Sequence, residues 1–360
     1  GMTFSAPLTT SLVPSVAAGS NVPTFSRAST AYVQDHEGVL RQVLANEARF
    51  WGARRVANMV ARSQDFTNAA WTQLNLTGVT SGFADPFGGT SAQKITDNAT
   101  PAAHGIFQGN TGTFVAANGT WVWSIYLATQ DTATTADSIR IQLLDASSTQ
   151  GALMTVNIRT GLVTSAAAAV GVAAGGVGGM SASSGGDYRA WIGCTLSAAA
   201  TGQAVGFAVL GDAASYVGTG TGCRVCQGQL EFTPGQATKS PAEPVSTNVL
   251  SSPFFGANVD GVRYFDTTLA GVSIPATTLL GYMSEQTASQ LVTPTAAIRN
   301  MTDASWTLGA TLARAFTSTG VDGVANSATR LTAGAVAATN TITQTLVIAA
   351  ASRTYSCYIK

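Results

Sequence analysis

The chain has 360 residues, of which 45% are hydrophobic and 10% charged, with Lys+Arg and Asp+Glu balanced at 18 each. That is ample apolar material for folded cores, and without a basic excess there is no electrostatic footprint for nucleic acid. Low charge with abundant Thr, Val and Gly favours strands joined by tight turns.

Gly1 ahead of Met2 reads as a cloning remnant, and no segment has the charged, apolar, small-residue order of a signal peptide. The longest Ala/Val/Gly run, AAAAVGVAAGGVGGM from Ala166 to Met180, falls short of the ~20 apolar residues of a membrane helix and is crowded with glycine. Membrane insertion is therefore not expected. Cys194, Cys223, Cys226 and Cys357 are too scattered for a disulfide framework, which fits synthesis in a reducing cytoplasm.

In chain order, GVLRQVLANEARF (Gly38 to Phe50) is the clearest helical pattern, with Leu40, Val43 and Leu44 on one face, although it reads equally as irregular structure. Thereafter short alternating runs dominate. In TWVWSIYLA (Thr120 to Ala128), Trp121, Trp123, Ile125 and Leu127 fall on one side of a strand, and Val122, Ser124, Tyr126 and Ala128 on the other. SIRIQLLD (Ser138 to Asp145), ALMTVNIRTGLVTS (Ala152 to Ser165), DYRAWIGCTL (Asp187 to Leu196), QAVGFAVLG (Gln203 to Gly211) and CRVCQGQLEF (Cys223 to Phe232) behave alike, with Arg159-Thr160-Gly161 as a hairpin turn. Many short strands with Gly-rich joins predict an all-β sandwich.

The chain also repeats itself. FTNAAW (Phe66 to Trp71) matches MTDASW (Met301 to Trp306), and SAQKIT (Ser91 to Thr96) matches SATRLT (Ser327 to Thr332). Ile106 and Gln108 match Ile342 and Gln344, and WSIYLA (Trp123 to Ala128) matches YSCYIK (Tyr355 to Lys360). Phe66 to Met301, Ser91 to Ser327, Ile106 to Ile342 and Trp123 to Tyr355 are separations of 235, 236, 236 and 232 residues. Four ordered matches at nearly constant offset predict one module and an incomplete second copy. The expected division is a lead (1–60), a sandwich (61–240), a second lead (241–298) and the partial copy (299–360). An isolated partial sandwich would leave open edges, so it is expected to be completed by further chain, by another chain or by packing on the first copy.

These phrases resemble a family of phage and prophage tail-associated proteins. The resemblance rests on SRASTA (Ser26 to Ala31) with Gly38, on ARFWGARRVANMVARSQDFTNAAWT (Ala48 to Thr72), and on CQGQLEFTPGQATKSPAEP (Cys226 to Pro244). NVDGVRYFDT (Asn258 to Thr267) and IPATTLLGYMSEQTASQL (Ile274 to Leu291) are similar to segments that precede this module in phage proteins. The chain departs from the pattern at Lys239 to Pro241, where the family has Tyr-Ile-Pro. The resemblance implies a jelly-roll sandwich, similar to carbohydrate-binding modules and galactose-binding-like domains, on a virion tail or fibre made in the bacterial cytoplasm. It implies other tail proteins as partners and a homo-oligomer, commonly a trimer.

Chemistry-bearing residues are few. Cys223-x-x-Cys226 has the spacing of half a zinc or redox site but lacks a second pair, and i and i+3 on a strand point to opposite faces. His36 and His104 are the two histidines, with no Gly-x-Ser-x-Gly elbow or phosphate loop beside them, and GTGTG (Gly218 to Gly222) reads as a loop before the last strand. Asp35/Glu37 and Asp131/Asp137 are sequence-adjacent acids of the type a glycosidase pairs in space. No catalytic residue and no cofactor is expected, and a structural calcium is left open. For glycan binding by aromatic faces the candidates are Trp121, Tyr126 and Trp191, set against the ordinary expectation that such residues pack in the core. Trp71 recurs as Trp306, as though the fold needs it. The reading is a non-enzymatic tail protein binding a host-surface glycan; the alternatives are a structural spacer and a polysaccharide-degrading tail enzyme.

Overall fold

The computed structural model describes residues 27–111, 119–132, 135–211, 215–233, 239–249, 259–279, 281–282, 300–309, 311–334 and 340–344. The lead contributes β1 (Ala31–Gln34), β2 (Leu40–Val43), β3 (Phe50–Trp51) and β4 (Arg54–Ala57). The helical reading of residues 38–50 is overturned, because β2 is extended and pairs antiparallel with β1. The cause is the turn between them: Asp35 Oδ1 accepts the N–H groups of Glu37 and Val39, and Asp35 Oδ2 takes Arg41 Nε at 2.6 Å. This folds the chain back before a helical turn can form.

The sandwich comprises β5 (Thr72–Leu74), β6 (Leu76–Phe83), β7 (Ala92–Asp97), β8 (His104–Gly109), β9 (Gly119–Thr129), β10 (Ser138–Asp145), β11 (Gly151–Asn157), β12 (Leu162–Val170), β13 (Ala174–Ala182), β14 (Tyr188–Leu196), β15 (Ala204–Leu210) and β16 (Gly222–Phe232). They form two antiparallel six-stranded sheets, ordered β12-β11-β10-β15-β8-β5 (sheet 1) and β13-β14-β9-β16-β7-β6 (sheet 2). Without the outer hairpin strands, the central quartets are β11-β10-β15-β8 facing β14-β9-β16-β7, and the chain crosses between sheets in the order of a jelly roll. The expected fold class is thus the observed one.

Alternation fills the interior. Trp121, Trp123, Ile125 and Leu127 of β9 meet Ile139, Ile141 and Leu143 of β10, with Ile192 and Cys194 of β14 in the same core. Small residues are placed opposite large ones. A Cβ on Gly206 would lie 2.4 Å from the Trp123 ring, and one on Gly228 2.7 Å from the Trp71 ring, so both positions are confined to glycine. Trp123 Nε1–H is satisfied by the Phe207 carbonyl at 3.0 Å. A bulge in β16 between Cys226 and Gln229, with Gln227 at φ 47°, lets Val225 and Leu230 both face inward despite their odd spacing.

Beyond the sandwich, β17 (Val262–Phe265) pairs with β4, and β18 (Gly281–Tyr282) with β3. Last come β19 (Thr307–Leu308), β20 (Leu312–Ser318), β21 (Ala328–Ala333) and β22 (Ile342–Thr343). Thr307 pairs with Thr343 and Leu308 with Ile342, the register in which Thr72 pairs with Phe107 and Gln73 with Ile106. This is the register expected of the opening strands of a second copy.

Candidate functional site

The two outer sheet faces differ. On sheet 2 the polar side chains of the closing strand are consumed by residues 242–247. Val245 N–H donates to Gln229 Oε1 (2.7 Å), Ala242 N–H to Glu231 Oε1 (3.0 Å), and Gln227 Nε2 to the Val245 carbonyl (2.9 Å). Asn58 is the hub: its amide donates to the Gly228 and Val245 carbonyls, and its oxygen accepts N–H of Val60 and Leu230. Arg54 forms a two-pronged ion pair with Glu243 at 2.8 and 2.6 Å. Burial raises the Glu231 pKa, opposed in part by the hydrogen bond from Gln229 and the Arg189 charge. The Gln-Leu-Glu phrase and Arg54 are therefore clips that strap the chain over this face, while Arg55 pairs with Glu47 of the lead.

The three aromatic candidates do not converge. Trp121 is fully buried, its ring 4.7 Å from that of Phe232, which corrects the expectation of a ligand-facing residue. It shares the inward side of β9 with Trp123, and alternation leaves it no other direction. Tyr126 lies on the outward side but is only 7% exposed, packed edge-on under Phe87 at 5.1 Å and beneath the Arg189 guanidinium at 5.4 Å. Burial raises its pKa, with Arg189 opposing. Trp191 is partly exposed on the same outer face, in register with Gly179 and Ser124.

Sheet 1 presents a different outer face. Phe107 and Phe207 pair in register across β8 and β15 and stack at 4.9 Å with 26° between planes, both partly exposed. Gln142 is in register with Phe207, and Arg140 stands two residues along β10, in register with Val209 and Thr155. Among the described residues, the side chains of Ser138, Arg140, Gln142 and Thr155 have no hydrogen-bond or ion-pair partner, and Arg140 Nε is buried without one. Aromatic surface beside unengaged amide and guanidinium donors can offer a flat apolar contact together with directional hydrogen bonds. The sequence held one sign of it. In β15 the inward residues Ala204, Gly206 and Ala208 are small while the outward Val205, Phe207 and Val209 are bulky, the reverse of an ordinary half-buried strand. Trp123, filling the interior opposite Gly206, explains the inversion.

Other candidate chemistry is tied up structurally. Asp35 pairs with Arg41, Asp137 with Arg159 at 2.6 Å, and Asp131 with Lys94 at 2.8 Å. Burial would raise Asp131, but the hydrogen bonds from Lys94 and Gly222 N–H outweigh it and hold the carboxyl below its ordinary value. Burial raises Asp187, with the Asp85 charge adding to it, whereas at Asp85 burial is outweighed by loop donors, Phe87, Gly89 and Ser91 all donating to it. His104 is buried with its ring nitrogens 2.7 and 3.0 Å from the carbonyls of Asn75 and Tyr216. The GTGTG loop does precede the last strand, and its Thr219, Gly220 and Thr221 N–H groups cradle Asp97 of the chain itself. Cys223 faces the core and Cys226 the opposite side, and burial pushes the Cys226 thiol up to about 11. An open cleft of about 280 Å³ beside Arg62, Asp65, Gln93 and Asn248 has no aromatic ring in its lining.

No protein-family model and no curated protein sequence matches the chain. Among solved structures, the chain is similar to the CBM22-1-GH10 modules of Clostridium thermocellum endo-1,4-beta-D-xylanase 10B complexed with xylohexaose: 10% identity, TM-score 0.28, covering 53% of this chain and 30% of that one. It is also similar to the enzymatically active domain of Bacteriophage CBA120 tailspike protein 4, at 14% identity and TM-score 0.28 over 49% of this chain and 22% of that one. An exo-beta-agarase gives 10% identity and TM-score 0.29 over 50% of this chain and 25% of that one. The likeness spans less than a third of each of those structures.

Proposed function

We propose that the protein is a non-enzymatic component of a phage or prophage tail that binds a host-surface glycan through the outer face of sheet 1, working as a homo-oligomer beside other tail proteins. The observation that carries the glycan reading is the partly exposed Phe107–Phe207 stack with the unengaged Gln142 amide in register beside it. Stacked rings supply the flat apolar platform on which a pyranose face can lie, and the amide supplies directional donors and acceptors. The tail setting is supported by the ordered phrases in residues 26–72 and 226–244, and a homo-oligomer would present several copies of one weak site and so gain avidity without new contacts. The non-enzymatic reading is supported by the ion pairs that occupy Asp35, Asp131 and Asp137.

The test is binding of the full chain to polysaccharides extracted from host cells, with Phe207→Ala and Tyr126→Ala as variants. Phe207→Ala is expected to weaken binding about tenfold, the equivalent of ~1.4 kcal/mol, at unchanged circular dichroism, while a folded Tyr126→Ala variant keeps its affinity. Equal binding by wild type and a folded Phe207→Ala variant would place recognition elsewhere. No binding to any polysaccharide would leave the spacer, a reading that the repeated module also favours.

A further inference from the structure

We infer that the sheet 1 face selects an acidic glycan, with Arg140 as the anchor for a sugar carboxylate; this rests on the glycan-binding reading above. The strands of that sheet carry two formally charged side chains, Arg140 and Asp145, and Asp145 is fully buried. Asp145 points inward, accepting hydrogen bonds from Thr149, Gln150 and Thr201. Arg140 is thus a single cation on an otherwise neutral outer face.

Its state sets it apart from the other arginines of the sandwich strands and hairpins. Arg159 is paired with Asp137, Arg189 donates to the Ala242 carbonyl and Ser124 Oγ, and Arg224 faces Asp187 at 3.9 Å. Arg140 has no such partner among the described residues; an Nε buried without an acceptor it shares with Arg189 and Arg224. The terminal nitrogens of the Arg140 guanidinium are not among its buried atoms and have no partner among the described residues, so they are available to an approaching anion. The fork geometry matches a carboxylate bidentately. Its place on the strand suits the same ligand. Arg140 stands one outward position from Gln142, which is in register with Phe207, so a ring stacked on the phenylalanines would set a substituent one sugar-width away against the guanidinium. The ligand class is therefore an oligosaccharide containing a uronic or sialic acid residue.

The experiment compares the full chain on uronate-containing polysaccharides with the same polymers after their carboxyls are reduced to alcohols, and on sialyllactose with lactose. Wild type is expected to prefer the acidic form by at least about tenfold, with a preference that shrinks as salt is raised. Arg140→Gln is expected to erase the preference while retaining the weaker neutral binding, and Arg140→Lys to retain part of it. Equal affinity of wild type for acidic and reduced forms, with binding still weakened by Phe207→Ala, would overturn the acid selection and leave the glycan face standing. A preference that survives Arg140→Gln, or a loss of both forms together with a lowered melting temperature, would overturn the role of Arg140. No binding to any member of the panel would overturn both readings.

Discussion

The first four sandwich strands and the four strands of the second copy share their local chemistry and differ in what covers them. Asp65 accepts from Thr67 N–H as Asn300 does from Thr302, and Asn68 from Ala70 as Asp303 does from Ser305. Phe66 N–H donates to Gln93 Oε1 at 2.6 Å, and Met301 N–H to Thr329 Oγ1 at 2.8 Å. Yet Ile95 is fully buried, whereas its counterpart Leu331 is 41% exposed. Turn chemistry and register are therefore written locally, within about 35 residues, while burial is conferred by strands far along the chain that face β7. The same sequence pattern can be a core or a surface according to what lies across from it.

The largest expected effect is at that pair. Ile95→Ala should cost roughly 2–4 kcal/mol by urea denaturation, and Leu331→Ala less than about 1 kcal/mol, because one empties a packed site and the other trims a surface. Equal costs would mean that the second copy is covered in solution, and would break the comparison. Next come the backbone acceptors. Gln93→Ala strands the Phe66 N–H and also loses the bond to Ser81, so about 1–3 kcal/mol is expected, against about 1 kcal/mol or less for Thr329→Ala.

The smallest effect is the pH dependence. Burial would raise Asp145, but hydrogen bonds from Thr201, Gln150 and Thr149 prevail and hold its pKa below 3.8. A depressed folded pKa contributes stability that is present above the unfolded value and is lost as pH falls through the folded one. Melting temperature should therefore drop below about pH 4, and Asp145→Asn, less stable at pH 7, should show a shallower acid limb. In the second copy Asp303 is also lowered, by hydrogen bonds that it accepts from Ser305, but sits in a partly exposed turn and should move the acid limb little.

How much of this was legible follows from where each signal resides. The alternation of Trp121, Trp123, Ile125 and Leu127 is a period-two pattern, and it gave both the sandwich and the inward direction of Trp121. The expectation that Trp121 faces a ligand ran against that alternation, and the core prevails because a strand has two sides only. The opposed faces of Cys223 and Cys226 were legible for the same reason. The Arg159-Thr160-Gly161 turn was legible as well, Gly161 adopting φ 71°. The Phe107–Phe207 stack was not, because the residues lie 100 positions apart and meet only through the β8–β15 register. Nor was the helix-like run after Gly38, whose outcome turns on the Asp35 side chain rather than on apolar spacing.

The pairing of β4 with β17 has a mechanical meaning. Arg54 is opposite Phe265 and Ala57 opposite Val262, so the polypeptide goes into the jelly roll and comes out of it through two neighbouring antiparallel strands. Tension applied along the chain from both sides meets the short β3–β18 pair first and then the Arg54–Phe265 end of this pair, where it peels the hydrogen bonds one after another instead of shearing them together. The Arg54–Glu243 fork lies at that end. The clip is therefore expected to yield before the sandwich and to lengthen the connector while the surface the sandwich displays stays folded: a compliant link in series with a stiff one.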